Sequence, residues 1–211
     1  MKRGRQESPG TLTVMAPLRF EARSIRRGAP GVRVLRTGVG PVRSRRATRR
    51  LREDPAELLV VAGLCGAVDP SLAVGDVVVA SELRRLGAPP LSVETECMCR
   101  ALELQGVRAQ MGCLLSVDHE VRGLERQALF AEGAAAVDME SAWLAEAAEG
   151  RPLGVVRVVL DTPTAEIHRL TILQNGWRAL VSLRRLAPAF EVWASLMRDR
   201  IGGDPSPRDL H

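Results

Sequence analysis

Aromatic residues are scarce in this sequence, which contains three Phe, three Trp and no Tyr among 211 residues. Proteins that bind single-stranded nucleic acid stack bases on such side chains, so we expect no specific nucleic-acid partner. No apolar run approaches the ~20 residues that cross a bilayer, which excludes an integral membrane protein. The first residues are polar and precede no apolar run, so the sequence predicts no secretory signal and a cytoplasmic location.

Cysteine is also infrequent. Cys97 and Cys99 form the only close pair, and one intervening residue is too few for an ordinary zinc knuckle. No second pair and no nearby His completes a site, so we expect reduced thiols, no metal ion and no cofactor. Cys65 lies in a glycine-flanked segment and His119 follows Asp118, which leaves a Cys–His nucleophilic pair as a minor alternative.

Acidic residues are nearly missing from the first quarter of the chain. Residues 1–52 hold 15 basic residues and two acidic residues, Glu7 and Glu21, for a local net charge of +13. Residues 53–211 carry a net charge of −8, and the whole chain carries a net charge of +5. Because 29 of the 30 basic residues are Arg, compositional bias and solvated faces are the simplest interpretation. The alternatives are contact with nucleic acid, an anionic membrane surface or a phosphate-bearing substrate.

Short β-rich runs alternate with helical segments along the chain, which is typical of an α/β fold. Residues 58–62 and 154–160 are continuous apolar runs, as expected for strands buried on both faces. The pattern predicts a three-layer α/β/α architecture with a twisted, mostly parallel central sheet. We expect a single domain over residues 11–200, with a flexible N-terminus at 1–10 and a tail at 201–211.

Ligands of parallel sheets bind beyond the C-terminal strand ends, and several polar or glycine-rich segments follow predicted strands. Gly38-Val39-Gly40 can present backbone N–H groups to an anion, although a tight turn explains it equally well. The segment lacks the spacing of a dinucleotide-binding loop, and no Walker lysine follows it. The same edge is predicted to hold the segments Gly63–Gly66 and Asp138–Glu140 together with Asp161.

Asp161 ends a buried strand, where desolvation tends to raise a carboxyl pKa and favours a general acid. Its alternative role is to cap the following turn. Arg157, in the same strand, is costly to bury without an anionic partner. Because alternate residues of a strand share a face, Arg157 and Asp161 are predicted to face one pocket.

Asp138, Met139 and Glu140 lie where a strand meets a helix predicted over residues 139–148. Two carboxylates there can receive sugar hydroxyls, with Met139 as an apolar wall. The alternative is helix capping by Asp138 and compensation of the helix dipole by Glu140. Glu21 is the only acid among the arginines of residues 8–52, and its alternative role is a surface ion pair.

Three groups of segments resemble the nucleoside phosphorylase/nucleosidase superfamily, of the purine phosphorylase and methylthioadenosine nucleosidase type. The Val-Asp-Met-Glu-Ser motif, followed by Arg-x-x-x-Asp, is the most specific of them. The resemblance covers roughly residues 11–165 in the order expected for the superfamily. Its segments are 37–40, then 62–66 with 75–79, and finally 136–141 with 156–161.

The resemblance implies a role for each candidate residue in cleaving an N-glycosidic bond. Glu140 is similar to the glutamate that holds the ribose hydroxyls, with Met139 against the sugar. Asp161 is similar to the acid that protonates purine N7 as the bond breaks. Arg157 and Glu21 match the pair that positions and deprotonates the attacking water. The remaining substrate-binding residues implied are Asp138, Gly38, Gly40, Gly63 and Val121, the last of which belongs to segment 118–121, which corresponds to the base-contacting backbone.

Two positions depart from the nucleosidase pattern. Leu64 and Leu160 stand where serines usually help to position the water and to orient the acid. Hydrolysis and phosphorolysis therefore both remain open: Glu21 and Arg157 favour water, whereas arginines beside the glycine loop can hold phosphate as a co-substrate. Those arginines are Arg43, Arg45 and Arg46.

One branch of the superfamily is especially similar. Ser116–His119, the pair Glu125-Arg126 and Val159–Pro163 resemble hopanoid-associated phosphorylases, which are implied to release adenine from adenosylhopane. A lipid-linked substrate would give the basic N-terminal third a purpose, contact with an anionic membrane. The alternatives are a general methylthioadenosine/adenosylhomocysteine or purine nucleosidase or phosphorylase, and a non-catalytic nucleoside-binding protein. The resemblance also implies a homo-oligomer, with a dimer favoured.

Overall fold

The structure, a computed structural model, describes residues 12–163 and 172–202. Strands and helices alternate through this part of the chain. The strands are β1 (Leu12–Ala16), β2 (Arg33–Arg36), β3 (Leu58–Ala67), β4 (Val77–Arg85), β5 (Gln110–Ser116), β6 (Ala134–Asp138) and β7 (Leu153–Asp161). The helices are α1 (Arg19–Gly28), α2 (Pro41–Arg52), α3 (Thr95–Leu104), α4 (Leu124–Ala131), α5 (Ser141–Ala145), α6 (Ile172–Leu186) and α7 (Ala189–Gly202).

The sheet confirms the α/β prediction, with strand order β2–β1–β3–β6–β5–β4–β7. Five of its seven strand pairings are parallel, and β3–β6 and β4–β7 are antiparallel. β3 also pairs with β7, so the sheet closes into a barrel-like arrangement that the sequence pattern did not predict. Closure depends on the ten-residue length of β3, twice the predicted length. Its first half pairs with β1, and its last residues pair with β6.

Helices cover both faces of the sheet. On one face α1, α3, α6 and α7 enclose a core that includes the fully buried side chains of Phe190 and Trp193. On the other face α2 and α5 pack over a second core that includes Met15 and Leu51. None of the helices in the described residues has both the length and the apolarity that crossing a membrane requires.

The C-terminal ends of four strands meet at one edge, as the sequence predicted. β6 runs antiparallel to β3, but the two overlap only where Gly66 and Ala67 face Val137 and Ala136. The end of β6 therefore reaches the end of β3, and β1 and β7 run parallel to β3 on either side. This edge carries the residues of the candidate site.

Two boundaries differ from the predictions. The helix expected over residues 139–148 covers only Ser141–Ala145, because the Asp138 side chain accepts hydrogen bonds from the backbone of Glu140 and Ser141 and so begins the helix there. The helix α7 continues to Gly202, into the predicted tail. The predicted flexible segment 1–10 and the rest of the tail lie outside the described residues.

Candidate active site

A cavity of about 180 Å³ opens at the edge where β1, β3, β6 and β7 end. Its wall is partly apolar, from Pro17, Leu18, Val39 and Leu160, and partly acidic. The sequence analysis placed most of its acids at this edge, so the predicted grouping is observed. The predicted site residues that line it are Glu21, Val121, Asp138, Met139, Glu140 and Asp161.

Glu21 reaches the cavity from the first turn of α1, which begins shortly after β1. Its side chain is buried, with Oε2 accepting a hydrogen bond from the Leu18 N–H at 2.6 Å and Oε1 from the Leu64 N–H at 2.8 Å. Burial raises the pKa of Glu21, and the nearby Arg157 guanidinium only partly opposes this. Glu21 is therefore a buried acid of the site and not a partner in a surface ion pair.

Arg157 is fully buried beneath the acids that line the cavity. Its Nε and Nη2 donate to Ser141 Oγ at 3.0 and 2.8 Å. Nη2 also lies 2.7 Å from Asp138 Oδ2 and 3.7 Å from Glu140 Oε2. Burial alone would lower the pKa of Arg157, but the two acids raise it above its usual value. The buried cation thus has the anionic partners that its position in a strand requires.

Glu140 is held by the glycine loop after β2. Its Oε1 accepts a hydrogen bond from the Gly40 N–H at 2.9 Å. Burial raises the pKa of Glu140 to about 7, in spite of the opposing effect of Arg157, and Asp138 adds to the rise. Glu140 therefore titrates near neutrality.

Asp138 is engaged on both carboxylate oxygens by the protein itself. Oδ1 accepts hydrogen bonds from Ser116 Oγ at 2.6 Å and from the N–H groups of Glu140 and Ser141, each at 3.1 Å. Oδ2 faces Arg157. These contacts match the capping role that the sequence left open. Direct binding of substrate by Asp138 stays a prediction.

The predicted glycines contribute in two ways, Gly63 through its lack of a side chain and Gly38 and Gly40 through their backbone N–H groups. A Cβ at Gly63 would lie 2.5 Å from Arg157 Nη1 and 2.7 Å from Glu21 Oε1, so only glycine lets both groups approach β3. Gly38 has a φ of +90° and donates its N–H to the Pro17 carbonyl at 3.1 Å. The N–H groups of Gly38 and Gly40 are thus bonded within the chain, to Pro17 and to Glu140, and not directed to an external anion.

Asp161 lies at the end of β7 beside Arg126, which the sequence analysis did not assign to the site. The two buried side chains form an ion pair through Arg126 Nη2 and Asp161 Oδ2. Arg126 Nη1 donates to the Ala67 carbonyl at 2.8 Å, and Nε to the Val121 carbonyl at 3.1 Å. Desolvation is therefore not the only influence on Asp161, because an adjacent cation stabilises the charged form of an acid.

The sequence predicted that Arg157 and Asp161 face one pocket, because alternate residues of a regular strand share a face. The structure differs, because β7 is not regular between these two residues. Pairing with β3 is regular up to Val159 and resumes at Asp161, which leaves Leu160 as an irregularity in β7. Leu160 and Asp161 both line the cavity, whereas Arg157 lies behind Glu140 and Asp138. The bulged residue explains the difference, because an extra residue interrupts the two-residue period.

Leu64, at a position where a serine is usual, contributes backbone groups. Its N–H donates to Glu21, and its carbonyl accepts a hydrogen bond from Arg157 Nη1 at 3.4 Å. The two charged groups are therefore held together through the Leu64 peptide groups, which do not depend on the side chain present there.

The nucleophilic thiol alternative is not supported. Cys65 and His119 both line the cavity, but burial raises the pKa of the Cys65 thiol and so disfavours a thiolate. Both nitrogens of His119 are engaged, by Asp118 at 2.9 Å and Glu125 at 2.7 Å, and these hydrogen bonds raise its pKa. Within residues 12–163 and 172–202, no three His, Cys, Asp or Glu side chains are grouped to hold a metal ion.

A larger groove of about 750 Å³ adjoins the cavity and shares Pro17, Leu18 and Val39 with it. Gly38 lines this groove. So do Arg43 and Arg46, two of the arginines considered for phosphate, while Arg45 is exposed. None of these three arginines lines the smaller cavity.

A family model described as the phosphorylase superfamily matches residues 13–187. The chain belongs to the phosphorylase superfamily. This confirms the resemblance to the superfamily and the expected enzyme class, a nucleosidase or nucleoside phosphorylase, whereas the resemblance to the hopanoid-associated branch stays a prediction. No curated protein matches the sequence.

Solved structures of nucleosidases share the fold. A Helicobacter pylori MTAN mutant with 5′-methylthioadenosine has a TM-score of 0.74 and 17% identity, over 90% of this chain and 100% of that chain. A Streptococcus pyogenes S-adenosylhomocysteine nucleosidase has a TM-score of 0.72 and 22% identity, over 89% and 98%. Helicobacter pylori futalosine hydrolase has a TM-score of 0.72 and 16% identity, over 90% and 98%.

Proposed function

We propose that this protein cleaves the N-glycosidic bond of an adenosyl compound and releases adenine. The observation that carries the proposal is the spacing of two charged groups along β3. Glu21 and Arg157 lie at Gly63, whereas Asp161 and Arg126 lie at Gly66. Three strand residues span about 10 Å, a separation suited to a ligand whose sugar and base need different chemistry.

The chemistry of glycosidic cleavage uses both groups. The sugar passes through an oxocarbenium-like state, and the base leaves more easily when it is protonated. We assign proton donation to the base to Asp161 and activation of the nucleophile to Glu21. Glu140, held by Gly40, is placed to accept hydrogen bonds from the ribose hydroxyls. Arg157 fixes the positions of Asp138 and Glu140 from beneath.

We propose water as the nucleophile. The Arg157 guanidinium is already paired with Asp138 and lies near Glu140, so it is not available to neutralise a phosphate dianion. A buried glutamate with a raised pKa is also a better base near neutrality than an exposed one. Support also comes from the arginines expected to hold phosphate, of which Arg43 and Arg46 line the neighbouring groove.

We propose that Arg126 orients the acid in place of the hydroxyl that is missing at Leu160. Arg126 is itself fixed by two backbone carbonyls, those of Ala67 and Val121. Val121 lines the cavity and belongs to the segment that the resemblance links to the base. Arg126 thus connects the acid with the base-contacting segment.

We propose adenosylhopane as the substrate, with small adenosyl compounds as the alternative. The cavity adjoins the larger groove at Pro17, Leu18 and Val39, and the groove is large enough for a bulky substituent on the sugar. The named ligands of the structural neighbours, such as 5′-methylthioadenosine, support an adenosyl compound in general. A cytoplasmic location at an anionic membrane and assembly as a homodimer remain predictions, and light scattering tests the latter.

The test is adenine release, followed by chromatography, from adenosylhopane, methylthioadenosine, adenosylhomocysteine and inosine, each with and without phosphate. Release from adenosylhopane without phosphate supports the full proposal. Release from the small adenosyl compounds alone supports a general nucleosidase. A strict requirement for phosphate overturns the choice of water, and binding without release would identify a nucleoside-binding protein.

A further inference from the structure

The outward faces of α1 and α2 contain no acid. Every exposed residue of these two helices is either arginine or apolar. The two helices flank the edge strand β2, and residues of both line the groove of about 750 Å³, among them Arg19 and Phe20 of α1 and Arg43 and Arg50 of α2. We call the exposed residues of the two helices around this groove the arginine face. Its exposed residues are Arg19, Phe20, Arg23, Arg26 and Arg27 on α1, and Val42, Arg43, Arg45, Arg46, Arg49, Arg50 and Arg52 on α2.

Most of this charge is not neutralised within the described residues. Arg52 forms an ion pair with Glu149, and Arg26 donates a hydrogen bond to the Val34 carbonyl at 2.6 Å. The other eight arginines of the face form no ion pair with any carboxylate in the described part of the chain. A cluster of unpaired positive charges creates an electrostatic field that attracts an anionic partner.

Apolar side chains lie among these arginines, and two of them, Phe20 and Val39, line the larger groove. Phe20 is 66% exposed on the first turn of α1, and Val42 is 81% exposed on the first turn of α2. Val39, in the loop before α2, is 37% exposed and lines both the cavity and the larger groove. Exposed apolar residues flanked by arginines are typical of surfaces that lie in the headgroup region of a bilayer.

We propose that the arginine face docks on an anionic phospholipid bilayer, with Phe20, Val39 and Val42 entering the headgroup region and the opening of the active site directed at the lipid. This docking proposal rests on the proposed function in one respect, namely that the substrate is linked to a lipid. Such a substrate would pass from the bilayer to the active site through the adjoining groove. Charge complementarity identifies the partner, because phospholipid headgroups supply many anions in one plane.

Two other partners fit the arginine face less well. A second copy of the chain, related by a two-fold axis, would place arginines against arginines with no acid between them, and like charges across an interface are unfavourable. Nucleic acid would satisfy the charge, but exposed valines have no counterpart on a phosphate backbone. Phe20 is the only exposed aromatic residue on the face, which is too few for base stacking.

The experiment is co-sedimentation of the full chain with phosphatidylglycerol–phosphatidylcholine vesicles and with pure phosphatidylcholine vesicles, at low and high salt. Each basic residue near an anionic surface strengthens binding by a factor of about five. The double variant Arg23→Gln/Arg50→Gln should therefore bind the anionic vesicles about 25-fold more weakly. The matched control, Arg108→Gln/Arg185→Gln, removes two exposed arginines outside the face and should bind like the wild type.

A second variant, Phe20→Ser, tests the apolar part of the contact. It should weaken vesicle binding at high salt, where the arginines are screened and insertion matters more. Turnover of soluble methylthioadenosine, measured on the same preparations, should not change in Arg23→Gln/Arg50→Gln. Preserved turnover also shows that this variant is folded.

The outcomes separate this proposal from the proposed function. Binding to anionic vesicles that Arg23→Gln/Arg50→Gln weakens supports docking, even if no adenosyl compound is cleaved. Equal binding to both vesicle types, equal loss in the matched control, or no binding at low salt overturns docking, even if adenine is released. Tighter binding to duplex DNA than to vesicles, or a dimer that protects the arginines from chemical modification, also overturns it.

Discussion

Arg126 and Asp161 form a buried ion pair at the end of β7, with side chains only 4% and 6% exposed. Taking two charges out of water is costly, and the pair is retained beside a cavity lined by further acids. The guanidinium is fixed by the carbonyls of Ala67 and Val121, so the position of the carboxylate is set by α4 and β3 as well as by its own strand.

Replacing Arg126 should impair catalysis more than binding. Arg126→Gln removes the guanidinium that fixes the Asp161 carboxyl group, so we expect kcat to fall by about 100-fold with a smaller change in KM, because a misplaced acid costs more than an easier protonation of Asp161 gains. Arg126→Lys keeps the charge and should retain more activity than Arg126→Gln. The measurement is steady-state adenine release on variants whose folding is verified by circular dichroism.

The control is Arg122→Gln, in the same segment but exposed and paired with Glu120. It should behave like the wild type. If a folded Arg126→Gln variant kept the wild-type kcat, the ion pair would contribute only to the packing of the protein and not to catalysis.

Gly63→Ala should disrupt the site from within β3. A methyl group there would lie 2.5 Å from Arg157 Nη1 and 2.7 Å from Glu21 Oε1, so both groups must move. We expect a loss of kcat of at least about tenfold and a lower melting temperature. Gly176→Ala is the control, because a Cβ there meets nothing within 4 Å, and alanine in helix α6 should be neutral or stabilising.

Glu21→Gln tests the assignment of the base. The amide keeps the size of the side chain but cannot take a proton from water, so we expect kcat to fall by about 100-fold or more. Glu57→Gln removes an exposed acid and serves as the control. Unchanged kcat in Glu21→Gln, with the fold intact, would assign water activation to another group.

The titration of Glu140 should be visible in stability. Its pKa is about 7 in the folded protein against a usual 4.5, so the folded state binds this proton more tightly than the unfolded chain. The resulting stabilisation is complete below pH 4.5 and is lost as the pH rises to about 7. Over that window the wild type should lose about 3 kcal/mol of unfolding free energy relative to Glu140→Gln, measured by urea denaturation. A difference that does not change with pH would contradict the raised pKa.

The fold class could be predicted from the alternation of strands and helices along the sequence. The edge of the sheet that carries the site could be predicted because polar segments follow the strands that end there. The apolar run at 58–62 predicted a buried strand but not its continuation to Ala67, because Gly63–Gly66 has the composition of a loop. The closed sheet follows from that continuation, so it was missed together with it.

At the site, the sequence identified acids whose burial the structure shows, including Glu21 and Glu140. It missed Arg126, because an arginine in an exposed-looking helix gives no local sign that its guanidinium is buried against another segment. The bulge at Leu160 was also missed, and with it the separation of Arg157 from Asp161. Both depend on long-range contacts, which residue spacing does not encode.

The most direct test of the account compares Asp161→Asn with the wild type on the adenosyl compound that the wild type cleaves best. Binding is measured by calorimetry and adenine release in a single turnover. Asp161→Asn should bind the compound within about tenfold of the wild type but release adenine about 1,000-fold more slowly, since proton donation to the base is lost. Release at the wild-type rate by a folded Asp161→Asn variant would show that Asp161 is not the acid of this site.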